Sequence, residues 1–368
     1  MLSTENLKAS EALLRRAHHV LAWLMVYYIH TQPEDAQPII PRGITIPLLR
    51  VCQQLLLPPI LTYSDNVLYN WAFTHPKSPH TPALEQECFK PLSSPLSTSP
   101  TVLALDNIRC LETFTGTRDE EEFYLSSARI EIRGVEALGL IRWIVGEALV
   151  GDDPALRRIT AHLHQLSVVI KDLAKLLANV RQGCDPELFY HQIRPWFGGQ
   201  DSGPAATQWV FDGIDEDPTF VKPTELSGPS AGQSTLISAL DIFLGISYGS
   251  DPSSEPGRWL KRMRTYYMPR HHRNFLRHLE GNPRPLKALV EANRHYPELL
   301  DAFNISVESL KEFRDTHVRI VAIYVVGPAR RAAEREGKTI EGGVKGTSGT
   351  DSMGFVRSTR DYTAVSKL

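Results

Sequence analysis

His317 is the residue on which most of the candidate chemistry in this 368-residue chain turns. It lies in SVESLKEFRDTHVRIVAIYVV, residues 306–326. There Leu310, Phe313, His317, Ile320 and Tyr324 recur at alternating steps of three and four, so they share one helix face. Ser306 reads as the cap of that helix, and Glu308 suits its positive end. A neutral imidazole on an apolar stripe is either a hydrogen-bonded core residue or a metal ligand. Spacing alone favours the core, because buried polar groups usually find a partner. Asp241 raises a related question. It lies inside LISALDIFLGI, where a lone carboxylate carries a heavy desolvation cost and needs a cation. Arg314, one turn before His317, is the candidate; the alternative is an ordinary ion pair tying two helices. Phe123 and Ser127 share a face one turn apart, as do Tyr190 and Arg194. Taken singly, such a serine often just bonds back to a carbonyl, and such an arginine serves a helix end.

Other motifs exclude more than they assign. The chain has no GxxxxGK[ST], GxGxxG or GxSxG pattern. His162 and His164 diverge by about 200° on a helix, which makes them poor co-ligands. His271 and His272 sit in a basic stretch, YMPRHHRNFLRHLE, and read as solvated or structural. Cys52, Cys88, Cys110 and Cys184 form no CxxC pair, so zinc and a redox dithiol are unsupported. Scattered thiols suit a reducing compartment. A net charge of −2 gives no electrostatic case for nucleic acid or anionic lipid. The apolar run Val20–Ile29 is too short to span a bilayer, which takes about 20 residues. No small-residue cleavage site comes after it. A buried helix, no membrane association and a cytoplasmic address are therefore expected.

The elements that must position these residues are helical nearly throughout. Helices are expected over 5–30, 45–57 and about 60–71, then a Pro/Ser/Thr-rich excursion over 75–100. FTGT at 114–117 introduces an acidic helix start and marks a boundary between residues 1–115 and 116–368. Beyond it come helices over 123–151 and 153–181. A short one opens at Asp185-Pro186 and ends at Arg194, before Pro195. Residues 233–246 are apolar almost all round, which marks a buried helix. Further helices lie near 255–265, 271–280 and 284–292, followed by the His317 helix. Strand signals are sparse, so the expected fold class is all-α.

Together these words resemble the indoleamine 2,3-dioxygenase family, of a fungal type, over nearly the whole chain. The matching segments are PPILTYSDNVLYNW (58–71), FTGTRDEEEFYLSSARIE (114–131), FYHQIR (189–194), PSAGQST (229–235), LDIFLGI (240–246), YMPRHHRNFL (267–276), FRDTHVRIVAIYV (313–325) and GTSGTD (346–351). The resemblance implies a small N-terminal helical domain over a larger helical domain that binds haem b. It implies His317 as the iron ligand, with Asp241 and Arg314 beside the propionates and Ser230 and Ala231 against the haem. It places Tyr63, Asn66, Phe123, Ser127, Phe189, Tyr190 and Arg194 in the distal substrate pocket. Thr347 would sit in a mobile glycine-rich loop, 335–351. The implied activity opens the indole ring of L-tryptophan with O₂, giving N-formylkynurenine for tryptophan catabolism and NAD synthesis. The implied protein acts as a monomer and needs a reductant. Arg194 would clamp the substrate carboxylate, and no strong base is evident in the pocket. Departures from the family pattern fall at Ser348, Pro229, Tyr190 and Asn66. They leave open a weakly active paralogue, another indole substrate or a non-catalytic haem sensor.

Overall fold

A computed structural model of the chain describes residues 4–33, 36–75, 105–202, 208–248, 255–338, 344, 346 and 351–368. The architecture is all-α. Strand pairing among the described residues is confined to two small ribbons. In one, β1 (Ile39–Ile40) runs parallel to β4 (Val210–Phe211); in the other, β2 (Trp71–Phe73) runs antiparallel to β3 (Ile108–Cys110).

Helix α1 (Glu11–His30) starts at Ser10, whose hydroxyl accepts from the Leu13 N–H. It contains the apolar run noted above, with Ala22, Met25 and Val26 fully buried. Among the described residues no helix is long and apolar enough to cross a membrane. Helix α2 (Arg42–Leu55) packs beside α1. The expected third helix over 60–71 is instead a π turn, Ser64–Leu68, followed by β2. Asn70 ends the helical course there: its amide exchanges hydrogen bonds with Glu112 and sets the start of the ribbon.

Helices α3 (Arg118–Val150) and α4 (Asp153–Asn179) are the long supports. Thr117 caps α3, and Asp119, Glu120 and Glu121 fill its first turn, where the macrodipole favours carboxylates. The Glu120 carboxylate also accepts from the Phe114 and Thr115 N–H groups, so it fixes the FTGT turn. Asp152 caps α4 through the Ala155 N–H. Leu156, Ile159, Leu163, Leu166, Ile170 and Leu173 form the buried stripe of α4. Each contributes about 1.5–3 kcal/mol by leaving water.

Helix α5 (Thr235–Phe243) crosses α3 closely at Gly134, where a Cβ would fall 2.1 Å from the Leu236 side chain. The chain continues through α6 (Glu255–Arg262), α7 (Arg270–Glu280), α8 (Leu286–Ala292), α9 (Pro297–Val321), α10 (Gly327–Arg335) and α11 (Ser352–Ala364). Helix α9 packs against α4 and α11. It begins at Pro297, so Ser306 is interior rather than a cap. The Ser306 hydroxyl donates to the carbonyls of Ala302 and Leu163, each at 3.0 Å. Buried Leu299, Ala302 and Phe303 extend the apolar stripe upstream and carry the helix with it.

Two large apolar clusters result, beside a small one of Leu14, Val51, Leu55 and Leu57 between α1 and α2. One joins α1, α2 and residues 60–67 to the first half of α3 and to Tyr324, and so draws on both sides of position 115. The other joins the second half of α3 to α4, α5 and α7–α9. Cys52, Cys110 and Cys184 are buried free thiols, and Cys88 lies outside the described residues.

Candidate active site

A cavity of about 240 Å³ opens where α3, α9 and three irregular stretches meet. That is far more than the roughly 10–15 Å³ one water needs, so the cavity has room for a ligand. Helix α9 contributes His317, Ile320 and Val321, and the π turn after it, Ala322–Val326, contributes Tyr324 and Val325. Burial, and then the neighbouring Arg314 guanidinium, push the His317 pKa down to about 4. The ring is therefore neutral at pH 7 and keeps a lone pair. No hydrogen bond from a described residue reaches it.

Asp241 and Arg314 lie behind the chamber rather than on its wall. Arg314 Nη2 donates to Asp241 Oδ1 at 2.6 Å and to the Tyr248 hydroxyl at 2.7 Å. Tyr248 in turn donates to Asp241, and Arg314 Nη1 donates to Thr363. Both charged groups are almost fully buried. Burial alone would lower the Arg314 pKa, but the Asp241 charge, together with Tyr248 and the hydrogen bonds to both, holds it above the ordinary value.

The opposite wall is held by a polar network. The Tyr63 N–H donates to Gln233 Oε1 at 2.8 Å, and the Tyr63 hydroxyl donates to Glu131 Oε1 at 2.9 Å. Ser234 donates to the same Glu131 oxygen at 2.7 Å, and Gln233 Nε2 donates to the Gly228 carbonyl. Burial raises the Glu131 carboxyl above the usual carboxylate range; the Ser234 and Tyr63 hydroxyls oppose this. Below Tyr63, Asp65 Oδ2 accepts from the Thr62 N–H and hydroxyl, while Asp65 Oδ1 faces His18 Nδ1 at 2.9 Å. His18 Nε2 faces the Pro58 carbonyl at 3.1 Å. Both ring nitrogens thus meet oxygen acceptors, which only an imidazolium satisfies. Burial opposes that charge, but Asp65 outweighs it and holds the His18 pKa well above 6.5.

Aromatic rings form the chamber's side. Phe123 lies 4.5 Å from Phe189 and 5.6 Å from Phe197, and Phe189 meets Tyr324 edge-on at 5.6 Å. Residues 186–197 pass from an α turn into a π turn, Phe189–Ile193, and then a 3-10 turn, Arg194–Phe197. The expected stop at Arg194 is thus overrun, because Pro195 sits in the first turn of a new 3-10 segment that tolerates it. Trp196 stacks on Phe114 at 4.8 Å and on Tyr27 at 5.6 Å, which fixes this stretch against α1. Arg194 lines the chamber, and burial lowers its pKa while the Tyr190 phenol opposes. Tyr190 stands off the wall: the wide π turn carries it outward, and the Arg194 guanidinium lies 5.4 Å from its ring centre.

Small residues form a further part of the wall. Pro229, Ser230, Ala231 and Gly232 line the chamber beside Trp259. A Cβ on Gly232 would fall 2.2 Å from the Trp259 ring, so only glycine admits that indole.

The structure therefore brings Tyr63, Asn66, Phe123, Ser127, Phe189, Arg194, Ser230, Ala231 and His317 onto one chamber. Thr347, Ser348 and most of the 335–351 loop lie outside the described residues. Sequence reasoning found no role for Glu131, Gln233, Trp259 or the His18–Asp65 pair. The available signal for Glu131 was its place one turn after Ser127. A carboxyl group does stand near the chamber, one hydrogen bond behind Tyr63.

Fold and site together define an all-helical protein built around a largely apolar chamber with one neutral imidazole on its wall. The relationship can be made narrower. Residues 1–366 match the family model for indoleamine 2,3-dioxygenase, and the chain belongs to that family. The whole chain is similar, at 30% identity, to 83% of indoleamine 2,3-dioxygenase 1 of Mus musculus. At 32% identity, 96% of it matches 78% of the indoleamine 2,3-dioxygenase of Saccharomyces cerevisiae. At 28% identity, 98% of it matches 83% of a 6-hydroxytryptophan 2,3-dioxygenase from Fusarium equiseti.

Proposed function

We propose that this chain is a haem-dependent dioxygenase that uses O₂ to open the indole ring of L-tryptophan, giving N-formylkynurenine. The observation that carries the reading is His317: a neutral imidazole on the wall of an apolar chamber, unbonded by any described residue. Such a ring is the donor that would hold a haem iron to the protein. Among the described residues no group of three or more His, Cys, Asp or Glu side chains could hold a bare metal ion. An iron here would therefore arrive within a ligand of its own. Ser230, Ala231 and Gly232 offer a wall of small residues to a flat macrocycle. Arg314, held behind the chamber by Asp241 and Tyr248, would supply positive charge toward the propionates of such a group.

When bound, haem supplies the activation of O₂, both atoms of which enter the product as the indole C2–C3 bond breaks. The chain's own side chains do the rest. Phe123, Tyr63 and Phe189 wall the indole and exclude water. Arg194 grips the substrate carboxylate through its planar fork, with Tyr190 backing the guanidinium. Ser127 hydrogen-bonds near the indole N–H. Glu131 and Gln233 hold Tyr63 in place. A reductant would be needed to keep such an iron ferrous.

The test is direct. Ferrous, haem-loaded protein given L-tryptophan and O₂ should yield N-formylkynurenine by absorbance, and His317→Ala should lose both haem and turnover. Absence of product from wild type, or normal haem retention with full activity in His317→Ala, would refute the reading.

A further inference from the structure

Asn66 is a polar group on the chamber wall that the proposed reaction leaves unused. It is 3% exposed and lines the cavity, yet its Oδ1 has no hydrogen-bond partner among the described residues. Buried amide groups are nearly always bonded, so an unmet one on a ligand wall points to the ligand. The side chain is also poorly placed to seek a partner elsewhere. It stands on the π turn Ser64–Leu68, between Asp65, which is fixed by His18 and Thr62, and Val67, which is packed on the wall. Tyr63, just before this turn, is tied at both its N–H and its hydroxyl. The turn is therefore rigid, and Asn66 presents a preset hydrogen-bonding group to an otherwise aromatic and aliphatic stretch of wall.

We infer that Asn66 selects an indole amino acid that carries a hydroxyl on its benzene ring. The inference rests on the dioxygenase reading and narrows its substrate class. An unsubstituted indole has one polar atom, its N–H, and Ser127 on α3 is at hand for that. The benzene ring of plain tryptophan offers an amide nothing. A ring hydroxyl answers it in either orientation, donating to the carbonyl or accepting from the NH₂. The hydroxyl also loses less on entering the chamber if a fixed amide receives it, since a buried polar group without a partner is costly.

The experiment compares L-tryptophan with its 4-, 5-, 6- and 7-hydroxy derivatives on haem-loaded wild type, Asn66→Ala and Asn66→Cys. Spectral titration gives Kd and product formation gives kcat/KM. The readout is the ratio of each hydroxylated substrate to tryptophan, which cancels any general loss of folding or haem. In wild type at least one ratio should favour the hydroxylated substrate. Both variants should lower that ratio about tenfold, the weight of one hydrogen bond left unmade. Ratios unmoved by either variant overturn the inference, even if wild type turns over tryptophan. Equal losses on all substrates, including tryptophan, overturn it too, because the partner would then be the shared N–H. A wild type that oxidises no indole overturns the dioxygenase reading itself.

Discussion

His18→Leu tests how the chamber's distal turn is held. The leucine side chain fills a similar volume but removes the imidazolium beside Asp65. Both partners are buried, at 1% and 2% exposure, so no solvent replaces the lost charge. Removing one member of such a pair costs about 3–5 kcal/mol, because the other charge is left uncompensated. Asp65 keeps two donors from Thr62, which places the expected loss near the lower end, about 3 kcal/mol. Urea unfolding at neutral pH reads it as a drop in midpoint at unchanged slope. Asn66 and Tyr63 adjoin Asp65, so affinity for the indole should fall with it. The double variant His18→Leu/Asp65→Asn removes the stranded charge and should recover most of the loss. The pH dependence has a definite sign. His18 binds its proton more tightly folded than unfolded, so its stabilisation is complete below 6.5 and fades as pH rises through the raised folded value. Asp65 is lowered, burial opposing and His18 outweighing it, so its contribution is present above 3.8 and fades as pH falls. The alkaline loss should be absent in His18→Leu. A single-variant loss below about 1 kcal/mol, or a double variant no better than the single, would show that the pair is not the clamp described.

Arg194→Lys should leave haem content and Tm near wild type but lower kcat/KM for L-tryptophan at least tenfold, about 1.4 kcal/mol. Indoles without a carboxylate should be far less affected, and equal sensitivity of both would remove Arg194 from the site. Ser127→Ala should cost about 0.5–1.5 kcal/mol, the range for a hydroxyl that tunes a hydrogen bond. A loss beyond about a thousandfold would instead assign it obligatory proton chemistry. Glu131→Gln keeps an oxygen for Tyr63 and Ser234. The wild-type carboxyl is held above 4.5 by burial, so wild type should lose stability as pH rises from there through the raised folded value. The variant should lack that slope, and parallel stability curves would show that Glu131 ionises freely.

The long helices were legible because their burial is periodic. The α4 stripe from Leu156 to Leu173 needs only the 3.6-residue repeat and one buried face. The Asp241–Arg314 contact was legible for a different reason: a carboxylate inside an apolar run has few possible partners. His317 could not be settled that way, since its stripe fits both a core histidine and a ligand, and only the family resemblance separated them. The π turns were illegible. An extra residue in a turn leaves no compositional mark, so 60–71 read as an ordinary helix and the stretch after Asp185 as a short helix ending at Arg194, before Pro195. Glu131 was passed over because charged residues flank it in ARIEIR, a pattern that also fits a solvated face.

Those irregular turns have a common consequence. Among the described residues, π turns occur at Ser64–Leu68, Phe189–Ile193, Met263–Tyr267 and Ala322–Val326, and all but Met263–Tyr267 place side chains on the chamber. A straight α-helix presents one stripe to its neighbours and would close this volume by packing. A π turn widens the coil locally and rotates the residues after it, so Asn66, Phe189 and Tyr324 face a common interior from different elements. The wider turn is less stable than the α form, so something must hold it. At Ser64–Leu68, His18 and Thr62 donate to Asp65, and the tyrosine before the turn donates to Gln233 and Glu131, which fixes both. At Phe189–Ile193, the Trp196 stack and the His30 bond to the Gly198 carbonyl anchor the next residues of the chain. At Ala322–Val326, the Tyr324 hydroxyl donates to the Cys184 carbonyl at 2.6 Å. The chamber's shape is thus set by polar and aromatic ties, several of them made by Tyr63 and Tyr324 on its own wall, so the wall and the irregular turns are held by the same bonds.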